Sequence, residues 1–180
     1  MDTPEPSSSE PPSPLAPSDP DDAPGRERTR ERPAGAGLRC ELLDPDRLLD
    51  EGLLARTGAA IRGVLGLLNE TGEVRARVVN DETMSAAHVE YLDVEGTTDV
   101  LTFDMTEITE DGSRELDVDL LICIDEARRQ AGSLGHAVEH ELALYVVHGI
   151  LHCTGFDDLT EDDARAMHAE EDRLLAEAGI

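Results

Sequence analysis

The stretch His148-Gly149-Ile150-Leu151-His152-Cys153-Thr154-Gly155-Phe156-Asp157-Asp158 sets two histidines four residues apart, a glycine three further on and an aspartate three beyond that. Residues four apart stack on one face of a helix, so His148 and His152 project together. Two imidazoles so placed can hold one transition metal ion. Gly155 can adopt the left-handed conformation that ends a helix. The chain can then turn back and bring Asp158 in as a third ligand, with one position left open. Residues 142–151 are apolar all round, which marks a buried helix. Histidines in such a helix need polar partners, and one metal ion serves both. The plainer alternative is two core histidines, each hydrogen-bonded separately.

The same spacing occurs in metzincin proteases, which carry glutamate directly after the first histidine as general base. Here that position is Gly149, so peptide hydrolysis of the zincin type lacks its base.

At this point the segment resembles the signature of the YbeY family, bacterial rRNA maturation factors and single-strand endoribonucleases, which reads H-G-x-L-H-x-x-G-Y-D-H. The chain matches at His148, Gly149, Leu151, His152, Gly155 and Asp157, with Phe156 in place of tyrosine. The third family histidine falls on Asp158. Its anionic oxygen can still ligate zinc but makes the ion a weaker Lewis acid, and Asp157 competes for the role. The run Thr97-Thr98-Asp99-Val100-Leu101-Thr102-Phe103 matches a second family signature, T-[DN]-V-L-[ST]-F. The resemblance suggests that Thr98, Asp99 and Thr102 border a substrate cleft on an edge strand beside the metal helix. A bland reading of the same run is an Asp99 turn cap followed by ordinary strand. Tyr91 falls on the family's aromatic position, and Leu92 stands where some members carry arginine. His88 falls on a family asparagine and is either a candidate for acid–base catalysis or a structural or surface histidine.

Composition restricts the alternatives. The 180 residues allow one domain with a real core, and the three cysteines, odd in number and widely spaced, suit a reducing cytosol. No stretch has the pattern of a signal peptide or a membrane span. The net charge is −26 and every basic residue is arginine. Such a surface argues against indiscriminate nucleic-acid binding, which phosphate neutralisation drives, and suits solubility or salt tolerance.

Residues 1–36 hold nine of the ten prolines and read as a disordered tail. Within it Arg26–Arg32 places four arginines in seven residues, either a solvated linker or an RNA-touching arm. Residues 37–180 form the expected domain, its ordered part beginning near Arg39. A helix is expected from Asp50 or Glu51 to Leu68, buried through Leu54, Ile61, Leu65 and Leu68, with Gly58, Gly63 and Gly66 allowing close packing on a sheet. Residues 73–80 alternate as a half-buried strand, and 81–91 read as a short helix. Val100, Leu101, Thr102 and Phe103 have strand character, Asp111-Gly112 signals a hairpin, and 116–124 form a strand buried on both sides in its second half. Asp125 is expected to cap a helix over 126–134. The metal helix follows over 136–154, with His136 and His140 facing solvent. Thr160 caps a last helix to Ala178. Cys123 reads as a core residue, and Cys153 points about 100° away from His152.

These elements give an α+β fold: a small mixed β-sheet with helices packed on it, including a zinc-hydrolase-like metal helix. The predicted ligands are His148, His152 and Asp158, holding one Zn2+ per chain; two imidazoles and a carboxylate suit zinc, with nickel or manganese also compatible. The resemblance implies a cytoplasmic, metal-dependent endoribonuclease acting on rRNA or other single-stranded RNA. It also implies ribosomal proteins or a ribosome-associated GTPase as partners, and neither DNA nor membrane. A non-catalytic ribosome-assembly factor with a structural metal is the second reading, and a zincin-type protease the third.

Overall fold

The computed structural model describes residues 37–108, 110 and 112–180. The expected tail of residues 1–36 with its arginine run, and Asp111 of the hairpin signal, lie outside that set.

Strands form where apolar residues alternate with polar ones. Strand β1 is Leu38–Leu43, β2 Gly72–Val79, β3 Val100–Asp104 and β4 Leu116–Cys123. They order as β1-β2-β4-β3. The β1–β2 and β2–β4 pairs are parallel, and β3 runs antiparallel to β4 with Thr102 opposite Leu120. β3 is therefore an edge strand. Strand β1 was not anticipated: its residues alternate weakly, and its place depends on pairing with a strand about 34 residues away. Gly72 opens β2 at φ 126°, where a Cβ would overlap the Leu116 backbone, so only glycine fits there.

Five helices complete the order: α1 Glu51–Leu65, α2 Asp81–Leu92, α3 Ile124–Leu134, α4 Val138–Cys153 and α5 Glu161–Ala178. The Asp50, Asn80 and Thr160 side chains each accept a backbone N–H in the first turn of α1, α2 and α5. Asp125 does not cap α3 as expected. It lies inside that helix, and its carboxylate accepts the Asp81 N–H at 3.0 Å, serving the start of α2 instead. The α1 stripe runs through Leu53, Ile61, Val64 and Leu65, with Leu54 only partly buried. Its glycines do not meet the sheet: a Cβ on Gly63 would touch Ala178 of α5, and one on Gly58 would meet Arg62.

The alternation of β2 and β4 sorts the core into two clusters. Ala76, Val78, Leu120 and Ile122 join α1, α4 and α5 on one face. Val79, Leu101 and Cys123 join Met84 and Ala87 of α2 on the other. Cys123 is thus a core residue, and the end of β4 is buried on both sides. The α4 helix lies over β3 and β4 so closely that a Cβ on Gly149 would stand 2.7 Å from Leu120 Cδ2 and 2.8 Å from Thr102 Oγ1. The missing glutamate after His148 is therefore a packing requirement as well as a chemical difference. Among the described residues no helix is long and apolar enough to cross a membrane.

Candidate metal centre

Helix α4 carries His148 and His152 in its last turns, one turn apart on one face. Their Nε2 atoms approach to 3.2 Å, with ring planes at 89°. Gly155 takes φ 101° just after the helix, and the returning chain sets Asp158 Oδ2 4.0 Å from His152 Nε2. One donor atom from each of the three lies within 4.8 Å of the others. Asp157 is occupied elsewhere: its Oδ1 accepts the N–H groups of Asp158 and Leu159 at 2.8 and 3.3 Å. Of the two aspartates, Asp158 lies in the cluster and Asp157 holds the turn.

A fourth residue, which sequence reasoning missed, orients the first histidine. Glu171 of α5 is 5% exposed, and its Oε1 lies 2.8 Å from His148 Nδ1. A carboxylate oxygen accepts, so Nδ1 carries the proton and Nε2 is left with its lone pair toward the cluster. This bond, opposed by burial and aided by the charges of Glu171, Asp99 and Asp158, raises the His148 pKa above the usual imidazole value. Glu171 could have been suspected from its position on the apolar stripe of Met167, Leu174 and Leu175, where a carboxylate needs a buried partner.

The donor set fits a metal ion. Two nitrogens at about 2.0–2.1 Å from one tetrahedral ion stand roughly 3.4 Å apart, close to the separation of the two Nε2 atoms. A single neutral imidazole proton can bridge that gap, but it leaves Asp158 unused. The centre remains reachable, since the His152 and Asp158 side chains are 32% and 45% exposed.

A cleft of about 340 Å³ opens onto these donors. Strand β3 and the residues just before it form one wall, which Thr98, Asp99 and Thr102 line. Asp99 borders the cleft, and its Oδ1 accepts the Val100 N–H at 2.8 Å and the Thr98 hydroxyl at 2.9 Å, holding the start of the strand. Tyr91 and Leu92 line the outer rim. His88 is not brought to the cleft. Its Nδ1 donates to the Gly96 carbonyl at 3.0 Å and ties α2 to the following loop. Cys153 stays out of the cluster, its thiol donating to the Gly149 carbonyl.

His136 faces solvent, as expected, whereas His140 is half-buried. Glu141, only 2% exposed, accepts from His136 Nδ1 at 3.0 Å, and the two rings stand 4.4 Å apart. Burial, then the neighbouring His136, lowers the His140 pKa. His136 precedes the helix, and its exposed ring also reaches Glu141 in the first turn.

The chain is similar to known proteins. A family model described as Endoribonuclease YbeY matches residues 54–179. A Corynebacterium jeikeium protein named Endoribonuclease YbeY is 36% identical over 117 residues, covering 61% of this chain and 64% of that protein. A Mycobacterium tuberculosis protein of the same name is 33% identical over 117 residues, covering 61% and 66%. The chain thus spans a little under two thirds of the length of these curated relatives. A solution structure from Thermotoga maritima aligns with a TM-score of 0.48 at 22% identity, covering 78% of this chain and 88% of that one.

Proposed function

From the premise that the chain belongs to the YbeY family, we propose that it is a metal-dependent, single-strand-specific endoribonuclease acting in rRNA maturation and ribosome quality control. The observation that carries the reading is the convergence of His148, His152 and Asp158 beside an edge-strand cleft. These three residues hold one ion, with zinc the best match to two imidazoles and a carboxylate. When bound, the ion supplies Lewis acidity toward a phosphodiester. The chain's own residues do the rest. Glu171 keeps the proton of His148 on Nδ1, so Nε2 stays free to ligate. Asp99 fixes the start of β3, and the Thr98 and Thr102 hydroxyls offer hydrogen bonds along the cleft wall. The chemistry takes place in the cytoplasm, with ribosomal RNA as substrate and ribosomal proteins or a ribosome-associated GTPase as partners.

The test is cleavage of an end-labelled single-stranded RNA by zinc-loaded wild type and by a His148→Ala/His152→Ala variant. The reading expects internal cuts with the wild type and none above background with the variant. Equal cutting by both sinks it. One observation favours a second reading, a non-catalytic assembly factor: none of the described residues lining the cleft is an arginine, and Leu92 is exposed there. Zinc uptake and capture of ribosomal proteins, with no RNA turnover, would support that alternative.

A further inference from the structure

We propose that Tyr91, braced by Phe103 at the rim of the metal cleft, is a stacking site for an unpaired nucleobase. By this means the cleft grips RNA chiefly through base stacking and only weakly through phosphate neutralisation. The proposal rests on the ribonuclease reading and adds how that site takes hold of its substrate.

The chain has only two tyrosines, two phenylalanines and no tryptophan. Two of those four rings, Tyr91 and Phe103, line the cleft that holds His148 and His152. Tyr91 sits in the last turn of α2 and is 57% exposed. Its ring meets Phe103 with centroids 4.9 Å apart and planes at 75°, the edge-to-face geometry that aromatic pairs prefer. Phe103 points toward the α2 side of β3 and packs against the core there. The contact therefore pins the exposed ring while much of its surface stays open. Leu92, also on the rim, is 56% exposed.

Charge argues for the nature of the occupant. Arginine and lysine neutralise phosphates and supply most non-specific affinity for nucleic acid. This chain has no lysine and a net charge of −26, and among the described residues lining the cleft the charged groups are Asp99 and Asp158. A polyanion entering there gains no phosphate pairing from cleft side chains. Beside the ion held by the histidine cluster, stacking on an aromatic face is the attraction left to the cleft side chains, and it is indifferent to charge. In a duplex the bases already stack on one another and are splayed out only in loops, bulges and ends. A stacking platform beside the donors thus selects single strands.

The experiment measures binding of a 2′-O-methyl oligoadenylate, which resists cleavage, to the full zinc-loaded chain by fluorescence anisotropy. Wild type, Tyr91→Phe and Tyr91→Ala are compared at several salt concentrations, with the matching duplex as competitor. Loss of one stacked base corresponds to about 5- to 150-fold in affinity. The expected result is weakening of that order for Tyr91→Ala, near wild-type binding for Tyr91→Phe, a shallow salt dependence and poor competition by duplex. Zinc content should be the same in all three. With no tryptophan in the chain, tyrosine emission is visible, and its quenching by the oligonucleotide should vanish in Tyr91→Phe although binding persists. Equal affinity of Tyr91→Ala and wild type overturns the proposal, as does a Tyr91→Phe protein as weak as Tyr91→Ala. Wild type that cleaves RNA with an unaffected Tyr91→Ala leaves the ribonuclease reading standing and removes this one. Wild type that neither binds nor cleaves RNA removes both. An apolar protein segment held by the rim, with RNA affinity unchanged by Tyr91→Ala, also counts against the proposal.

Discussion

Replacing Glu171 by glutamine should weaken metal binding about tenfold without changing the fold. The carboxylate lies 2.8 Å from His148 Nδ1 and is 5% exposed, so solvent screens it little. Glutamine keeps the shape and a carbonyl oxygen that accepts the same proton. What it loses is charge. A hydrogen bond to a charged group contributes about 1.5–3 kcal/mol against about 0.5–1.5 kcal/mol for a neutral one. The difference of roughly 1–1.5 kcal/mol corresponds to about five- to twelvefold in affinity at 1.36 kcal/mol per decade. That falls at the lower end of the 10- to 100-fold range typical of carboxylates that orient metal-bound histidines. Competition with a chromophoric zinc chelator near neutral pH reads the change directly. Glu171→Ala should cost more, because it leaves the Nδ1–H buried without an acceptor. Unchanged zinc affinity in both variants would refute the argument that α5 orients the first histidine.

Two further predictions concern the scaffold. Gly149→Ala places a methyl against Leu120, which is 1% exposed and has no room to retreat. Overpacking costs about 1–3 kcal/mol, and the helix-propensity gain returns about 1 kcal/mol. A net loss of about 1 kcal/mol should appear as a lower melting temperature, and a stabilised variant would contradict the close approach of α4 to the sheet. The second concerns acid stability. The Arg129 guanidinium lies 2.7 and 2.8 Å from the two Asp81 carboxylate oxygens and holds that carboxyl down to about 2. A depressed carboxyl adds stability that is present above its unfolded value of about 3.9 and is lost as pH falls toward 2. Arg129→Ala should therefore be less stable than wild type above about pH 4, with the gap closing by about pH 2. The pair is partly exposed, so the gap should be small and should shrink in salt. Thermal melts across this window, followed by circular dichroism, would show a constant gap if the pairing does not matter.

The parts of the fold that were legible in the sequence were those written in local periodicity. The α4 helix, its histidine pair and the glycine stop follow from spacing, as do the alternation of β2 and the cap at Thr160. What depended on distant pairing was not legible. Strand β1 exists because β2 lies beside it. Asp125 caps α2 and not its own helix, since the start of α2 lies beside α3. Glu171 could not be matched to His148 across 23 residues without knowing that α5 folds back on α4. The need for Gly149 is likewise invisible until the helix is laid on Leu120 and Thr102. The placing of Asp157 in the turn and Asp158 beside the histidines depends on a single local turn that spacing alone does not reveal.

The most direct test of the account is metal content per chain after zinc loading and exhaustive dialysis, compared between wild type and His148→Ala/His152→Ala, with Asp158→Ala as a third sample. The account predicts that wild type retains an equivalent of zinc that the double variant lacks, and that Asp158→Ala retains less than wild type. Zinc content that is nil in wild type, or identical in wild type and the double variant, would contradict it and reduce the two histidines to core residues bridged by a proton.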